Sequence, residues 1–411
     1  MQTTLLTCAF LISSQLAFAE NWPAFRGPAG DGQSAATGLP AKFGNGENVA
    51  WKTAIHGKGW SSPVVWGKQI WMTTATEDGK KMSAVAVDLD SGKIIHDVVV
   101  FENAKPRFCH PTNSYASPTP VIEEGRIYVH FGSYGTACLD TATGKMLWSR
   151  RDFECDHFRA PGGSPILHRD LLFLNFDGVD QQYVVALNKK TGKTAWRKKR
   201  TIDYGTDNPD RKKAYSTSTV IEHNGRTALI SPAAVATIAY SPLTGDELWR
   251  VRHGGMNAAP RPLFANGLIY LAAGGGKTQF VAVRPGGNGD VTDSHIAWSS
   301  GVGIPRRGSQ LLLNNSLYMV ADNGVASCRD AKSGKIIWQH RFGGDFWASP
   351  VAADGKLYFF SKQGKVFVVA AAREFKQLAE NEFDAGFNSS PAIVENSLII
   401  RSFTHLYRIK K

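Results

Sequence analysis

The side chains that could do chemistry in this chain cluster by type in a set of short loops. They are His110, Asn113, Tyr115, Arg159, Tyr215, His253, Asn257, Arg306, Arg307, Trp347 and Asn388. Guanidinium groups beside large aromatics form the composition of binding hot spots, because each buries apolar surface while keeping a directional polar contact. Acid–base catalysis needs more. Asp156, Asp207 and Asp345 stand apart in loops and read as turn residues rather than paired carboxylates. Gly274-Gly275-Gly276-Lys277-Thr278 resembles a phosphate loop only superficially, since the leading glycine spacing is missing and the stretch lies between strands. No zinc spacing and no nucleophile elbow occur.

The loops are placed by a repeat. Its fullest copy is Ala186-Leu-Asn188-Lys-Lys-Thr191-Gly192-Lys-Thr-Ala-Trp196. Cys138 to Trp148, Cys328 to Trp338 and Ala239 to Trp249 follow it, while Ala86 to His96 puts His in the Trp position. Ala282 to Trp298 carries a longer turn, Pro285-Gly286-Gly287-Asn288-Gly289, and Ala370 to Glu380 is degenerate. Asp or Asn caps the turn amides and Gly supplies positive φ, so the motif is a hairpin between two strands. A Trp recurring once per unit is expected to dock on the neighbouring unit.

A second phrase precedes each copy: a hydroxyl residue, often before Pro, then an apolar strand. It occurs at Ser62-Pro63, Thr119-Pro120, Ser164-Pro165, Ser218-Thr219, Ser309-Gln310, Ser349-Pro350 and Ser390-Pro391, and in altered form at Arg261-Pro262. Four short strands per unit at a period of roughly 40 to 57 residues describe a propeller blade. The eighth unit stops without its last strand, while Asn48-Val-Ala-Trp51-Lys52 is a strand without a unit. The fold expected is therefore an all-β, eight-bladed propeller with four-stranded antiparallel blades. Its ring is closed when residues near 48–55 complete the last blade, which removes two free edges.

Residues 1–19 read as a secretory signal with an Ala17-Phe18-Ala19 cleavage pattern, although the segment before the apolar core has no Lys or Arg. Residues 20–46 read as an extended Gly/Pro-rich coil, of which 20–40 are dispensable for folding, and 47–411 as one propeller. No later stretch offers the about 20 apolar residues of a membrane helix. The mature cysteines are too few for a disulfide scaffold; Cys109 and Cys155 lie in neighbouring loops where a bridge is topologically possible, and Cys138 and Cys328 should be buried thiols. Net charge is +12, partly from Arg197-Lys198-Lys199-Arg200 and Arg211-Lys212-Lys213. These runs read as solvated basic loops, with attraction to an acidic surface as the sharper possibility.

The repeat resembles that of the pyrroloquinoline-quinone-like propellers, a superfamily that includes quinoprotein alcohol dehydrogenases and the outer-membrane assembly factor BamB. The opening Asn21-Trp22-Pro-Ala-Phe25-Arg26-Gly27-Pro28, with Trp60-Ser61-Ser62-Pro63, is similar to secreted bacterial members of unassigned function. Two functions are implied. One is a non-catalytic scaffold of the periplasm or cell surface. It would be monomeric, would need no cofactor, and would bind envelope proteins, peptides or acidic polysaccharide on its loop face. Nucleic acid is not an expected partner. The other is a dehydrogenase using pyrroloquinoline quinone and Ca²⁺. The chain lacks the vicinal cysteine pair common in such enzymes and has no compact acidic cluster for Ca²⁺, so the scaffold is favoured.

Overall fold

The computed structural model describes residues 21–44, 46–276 and 279–411. The proposed signal segment, Cys8, Lys277 and Thr278 fall outside the described residues.

Eight antiparallel sheets follow one another round a central channel. Blade 1 runs Val64–Glu102, blade 2 Val121–Arg150, blade 3 Ile166–Lys199 and blade 4 Thr219–Arg252. Blade 5 runs Leu263–Ser300, blade 6 Leu311–Arg341 and blade 7 Val351–Glu382, and blade 8 starts at Ala392–Val394. In each blade the strands alternate in direction from the channel outward. One end of the propeller therefore holds the hairpin turns after the first and third strands, and the other holds the turns after the second strands and the loops that enter each inner strand. Val49–Ala54 pairs with His405–Ile409, so the first strand of the chain completes the last blade as expected. Only blade 4 departs from four strands: Gly289–Asp290, from the long turn of blade 5, adds in parallel to its outer strand.

The repeated Trp works as a rivet. Trp148 donates its indole N–H to the Lys189 carbonyl at 2.9 Å, and Trp196 donates to Pro242 at 2.9 Å. Trp51, Trp298 and Trp338 make the same contact with Leu89, Ala331 and Ala372. At Trp51, Trp148, Trp196 and Trp298 the ring lies on the turn glycine of the next blade. A Cβ on Gly192 would sit 2.7 Å from Trp148, and one on Gly334 2.5 Å from Trp298, so only Gly permits the approach. Where His96 replaces Trp, Gln69 donates to the waiting Thr141 carbonyl at 3.0 Å.

Nearer the channel, a ring of hydroxyls links the blades. The backbone N–H of Ser62 donates to Thr119 Oγ1, that of Thr119 to Ser164, and that of Ser164 to Thr217, at 2.9–3.0 Å. The chain resumes from Arg261 to Ser309, Ser349 and Ser390, and closes from Ser390 back to Ser62, again at 2.9–3.0 Å. The one break is between blades 4 and 5, where Arg261 occupies the hydroxyl position and has no acceptor to offer.

Arg261 serves another purpose. Segment 21–44 is irregular, as its glycines suggest, but it is not a loose coil. Trp22, Arg26, Leu39 and Phe43 are buried. Trp22 pairs with Val65 of blade 1, Arg261 donates to the Phe25 carbonyl, and Gly32 and Ser34 bond Ala352 of blade 7. The segment thus crosses the channel near its turn end before leaving over blades 7 and 8. Arg26 is wholly enclosed and donates to the carbonyls of Pro350 and Gln310 at 3.0 and 2.7 Å. Burial holds its guanidinium down at about 9 and that of Arg261 at about 10. The expectation that residues 20–40 are dispensable is corrected on this ground: they fill the channel of the ring they precede.

Among the described residues the cysteines form no bridge. Cys109, Cys138, Cys155 and Cys328 are all thiols, the last three buried. Cys155 lies 3.7 Å from His157 Nδ1, and Cys109 turns to the His110 carbonyl. Two residues of the basic runs are also not solvated. Arg200 is buried against Asp177 with two contacts of 2.6 and 2.8 Å, and the Lys213 side chain is enclosed beside Asp210.

Candidate loop-face site

The loops that enter the inner strands converge on a cavity of about 360 Å³ above the channel segment. The hydroxyl ring contributes Ser62, Thr119, Ser164, Thr217, Ser349 and Ser390 to its wall. Phe25, from the segment that fills the channel, is part of the lining from below.

Eight of the residues singled out from sequence line this cavity: Asn113, Arg159, Tyr215, Asn257, Arg306, Arg307, Trp347 and Asn388. The other three do not. His110 is at the rim, where its Nδ1 lies 2.7 Å from the hydroxyl of Thr112, a lining residue. Tyr115 is buried against Tyr134 and donates to the Arg107 carbonyl at 2.7 Å, so it pins a loop. His253 is buried, with Nε2 2.9 Å from Thr237, and burial lowers its pKa to about 4. Phe346 and Phe387, also in these loops, are fully buried between blades.

The lining divides into side chains already engaged and side chains with spare capacity. Asn113 is engaged. Its amide donates to the carbonyls of Arg159 and Ala160 at 2.7 and 3.1 Å and its oxygen accepts from Ser117, so it holds the loop that carries Arg159. Tyr215 donates to the His157 carbonyl at 3.3 Å. In contrast, Arg159 Nε, Asn257 Oδ1 and Asn388 Oδ1 are buried with no hydrogen-bond partner. Leaving such a group unpaired costs about 1–3 kcal/mol, and three of them face one cavity.

The electrostatics have one sign. Arg159, Arg306 and Arg307 supply charge, and no carboxylate is among the lining residues. Arg307 lies 4.0 Å from the centre of the Trp347 ring, as does Lys362 Nζ, so two cations share one indole. Asp322 sits behind the rim, pairing with Arg307 and accepting from the Arg306 N–H at 2.9 Å. His110 is held below its usual pKa, by partial burial first and then by Arg159, Lys213 and Arg307. The loops are also strained: Phe158, Ala160, Val235 and Asn257 have φ of 56°, 72°, 70° and 56°. Such conformations cost of order 1–3 kcal/mol and concentrate where a surface is shaped for contact.

Sequence reasoning missed Phe25, Trp60, Met256 and the hydroxyl ring as lining. Trp60 directly precedes the first Ser-Ser-Pro phrase, and the hydroxyls are the phrase itself, so both signals were present. Gly275 and Gly276, discounted as a phosphate loop, also border the cavity.

A sequence profile described as outer membrane protein assembly factor BamB matches residues 41–173 and 180–411. The outer membrane protein assembly factor BamB of Shewanella oneidensis is 22% identical over 316 residues, covering 70% of this chain and 72% of that protein. Among solved structures, BamB from Moraxella catarrhalis superposes with a TM-score of 0.61 at 11% identity, covering 88% of this chain and 99% of that one. The quinohemoprotein alcohol dehydrogenase ADHIIG of Pseudomonas putida superposes with a TM-score of 0.70 at 12% identity, covering 95% of this chain and 80% of that one. At these identities the structural likeness speaks for the fold alone.

Proposed function

The chain belongs to the family of the outer membrane protein assembly factor BamB, and from that premise we propose that it is a non-catalytic binding propeller of the bacterial cell envelope. Its loop-face cavity takes an anionic group presented by a protein, a peptide or an acidic glycan. The observation that carries this reading is the lining: three arginines, one lying 4.0 Å from a tryptophan ring, with no carboxylate among the lining residues. Planar guanidinium groups suit carboxylate and phosphate oxygens, which can accept two parallel hydrogen bonds. The unpaired Arg159 Nε, together with the Asn257 and Asn388 side chains, supplies polar groups that such a guest could complete. No helix among the described residues is long and apolar enough to cross a membrane.

The resemblance to quinoprotein dehydrogenases implies a quinone and Ca²⁺, and the residues present do not fit that pair. Ca²⁺ takes six to eight oxygens with carboxylates prominent among them. The lining offers none, and no group of three or more His, Cys, Asp or Glu suited to a metal occurs among the described residues.

The test is ligand-dependent thermal stability. Polygalacturonate or a glutamate-rich peptide is expected to raise the melting temperature, because a ligand of the native state stabilises by mass action. The shift should shrink in high salt and in Arg307→Ala. Pyrroloquinoline quinone with Ca²⁺ is expected to give no shift and no dye-linked alcohol oxidation. A clear shift with that pair, lost in Arg307→Ala, would overturn the scaffold reading.

A further inference from the structure

Of the Phe, Tyr and Trp rings among the described residues only two are exposed, and they lie together. Phe108 is 59% exposed and Phe158 43%, with ring centres 5.9 Å apart. Each belongs to a loop that enters an inner strand, Phe108 on the way to blade 2 and Phe158 on the way to blade 3. Both stand at the rim of the loop-face cavity. Phe108 meets His110 edge-on at 6.3 Å, and Arg159, the residue after Phe158, is part of the cavity lining. Asn113 ties the two loops here by donating to the carbonyls of Arg159 and Ala160. The position of Phe158 is enforced. Its φ of 56° is a left-handed conformation that a bulky side chain rarely adopts, and Asp156 Oδ1 secures it by accepting the Phe158 N–H at 2.8 Å. Lys213 Nζ lies 4.5 Å from the centre of the same ring. The carboxylates on this side are engaged within the chain. Asp210 pairs with Lys213, Asp156 holds Phe158, and Asp180 accepts the N–H groups of Asp156 and Gln181.

We propose that this pair of rings extends the cavity into a two-part docking site for a polypeptide segment, in which an acidic side chain enters among Arg159, Arg306 and Arg307 while a neighbouring aromatic side chain packs on Phe108 and Phe158. The inference rests on the anionic reading of the cavity and chooses among its guests. A uronate chain would satisfy the arginines but bring only hydroxyl-bearing rings to the phenylalanines, whereas a polypeptide carries an anion and a wholly apolar ring on one backbone. Phe158 and Arg159 are consecutive, so the two halves of the site start about 3.8 Å apart. In an extended guest, side chains on one face recur every second residue, at about 7 Å. The acidic and aromatic residues of the guest are therefore neighbours or next neighbours. The two rings expose about 200 Å² between them, against about 800 Å² per partner in a standard protein interface. That area seats one side chain, and is too small to hold a membrane or a second copy of the chain.

The probes are three end-capped peptides, Gly-Glu-Glu-Phe-Glu-Glu-Gly, Gly-Glu-Glu-Ser-Glu-Glu-Gly and Gly-Ser-Ser-Phe-Ser-Ser-Gly, together with polygalacturonate, each titrated calorimetrically into the whole purified protein. The first peptide is expected to bind at least roughly fivefold more tightly than the second, as one aromatic contact allows, and the third to bind weakest. Phe108→Ser should erase most of the preference for the first peptide over the second. Phe158→Asn should do the same, since Asn tolerates the left-handed backbone and keeps the loop in place. Circular dichroism on both variants checks that the fold is kept. Equal affinity for the two acidic peptides, or a preference that survives both variants, overturns the proposal while the cavity stands as a plain anion site. No binding by any acidic probe overturns the cavity reading and this proposal together. Binding to phosphatidylglycerol vesicles, or self-association, that is lost in Phe108→Ser also overturns it, because the rings would then serve a lipid or a second copy of the chain.

Discussion

The two ends of this propeller treat their polar groups in opposite ways. At the turn end, capping side chains are used several times over. Asp140 accepts from both the N–H and the hydroxyl of Thr143, Asn188 from the N–H groups of Lys190 and Thr191, and Asp330 from Ser333. Asp88, Asp140 and Asp330 are held below the usual carboxylate range, chiefly by these bonds. At the loop end, Arg159, Asn257 and Asn388 keep buried polar atoms unpaired. A satisfied hairpin stabilises the fold, whereas an unsatisfied loop is left to gain its missing bonds from a guest. The difference shows where the repeat spends its sequence on structure and where it does not.

The harshest way to break this comparison is at the seam. Removing residues through 55 takes the strand Val49–Ala54 and the Trp51 rivet, and should abolish the cooperative transition seen by calorimetry. Removing 21–44 alone should also be costly, because Trp22 and Arg26 are fully enclosed. Trp22→Ala by itself is expected to cost about 3–5 kcal/mol in chemical denaturation. A neutral result for both would restore the coil reading of that segment.

Next come the rivets. Trp148→Ala should fall within the same range of about 3–5 kcal/mol. Gln69→Ala, at the junction where Gln69 serves the Thr141 carbonyl, should cost less, about 1–2 kcal/mol, since it gives up hydrogen bonds and no aromatic ring. Equal losses in chemical denaturation would mean that the ring adds nothing to the rivet.

Acid should probe the loop end through three buried histidines. Burial lowers His130 to about 3 and His157 and His253 to about 4. The unfolded chain binds these protons from about pH 6.5 downward and the folded chain does not, so stability is full above that pH. It should fall by up to about 1.4 kcal/mol per pH unit for each histidine as pH drops from about 6.5 towards 4. His130→Phe should flatten the slope, and an unchanged urea midpoint between pH 7 and pH 5 would contradict the assignment.

The smallest effects separate the ends most cleanly. Asn188→Ala, at a turn, should cost about 1 kcal/mol because two amides lose their acceptor. Asn388→Ala, in the loop-face cavity, should be neutral or slightly stabilising, since it removes an unpaired group. A larger loss at Asn388 than at Asn188 would reverse the reading of the two ends.

Much of this was legible before any coordinates, and for a physical reason. Hairpin turns demand residues of special conformation, so Asp-x-x-Thr-Gly announces each blade, and the orphan strand at Trp51 announces the closure. The loop residues could be gathered because each precedes a repeated phrase. What escaped was placement that depends on a single long-range contact. The role of Arg26 rests on carbonyls of Gln310 and Pro350, far along the chain, and glycines around it suggest only coil. Tyr115 and His253 look like their neighbours in sequence, and only packing turns them inward. Arg261 was the available clue, a cation in a series of hydroxyls.

The pairing of Val49 with Ile409 also governs the order of events as the chain is made. The ring cannot shut until the strand His405–Ile409 exists. Every earlier stage presents two open sheet edges, one at each end of a growing arc, and open edges invite pairing with other chains. Contacts this distant in sequence form slowly. The strand His405–Ile409 therefore acts as a clasp, and removing Leu406–Ile409 would leave a nearly closed ring that is long-lived only while it is kept from its neighbours.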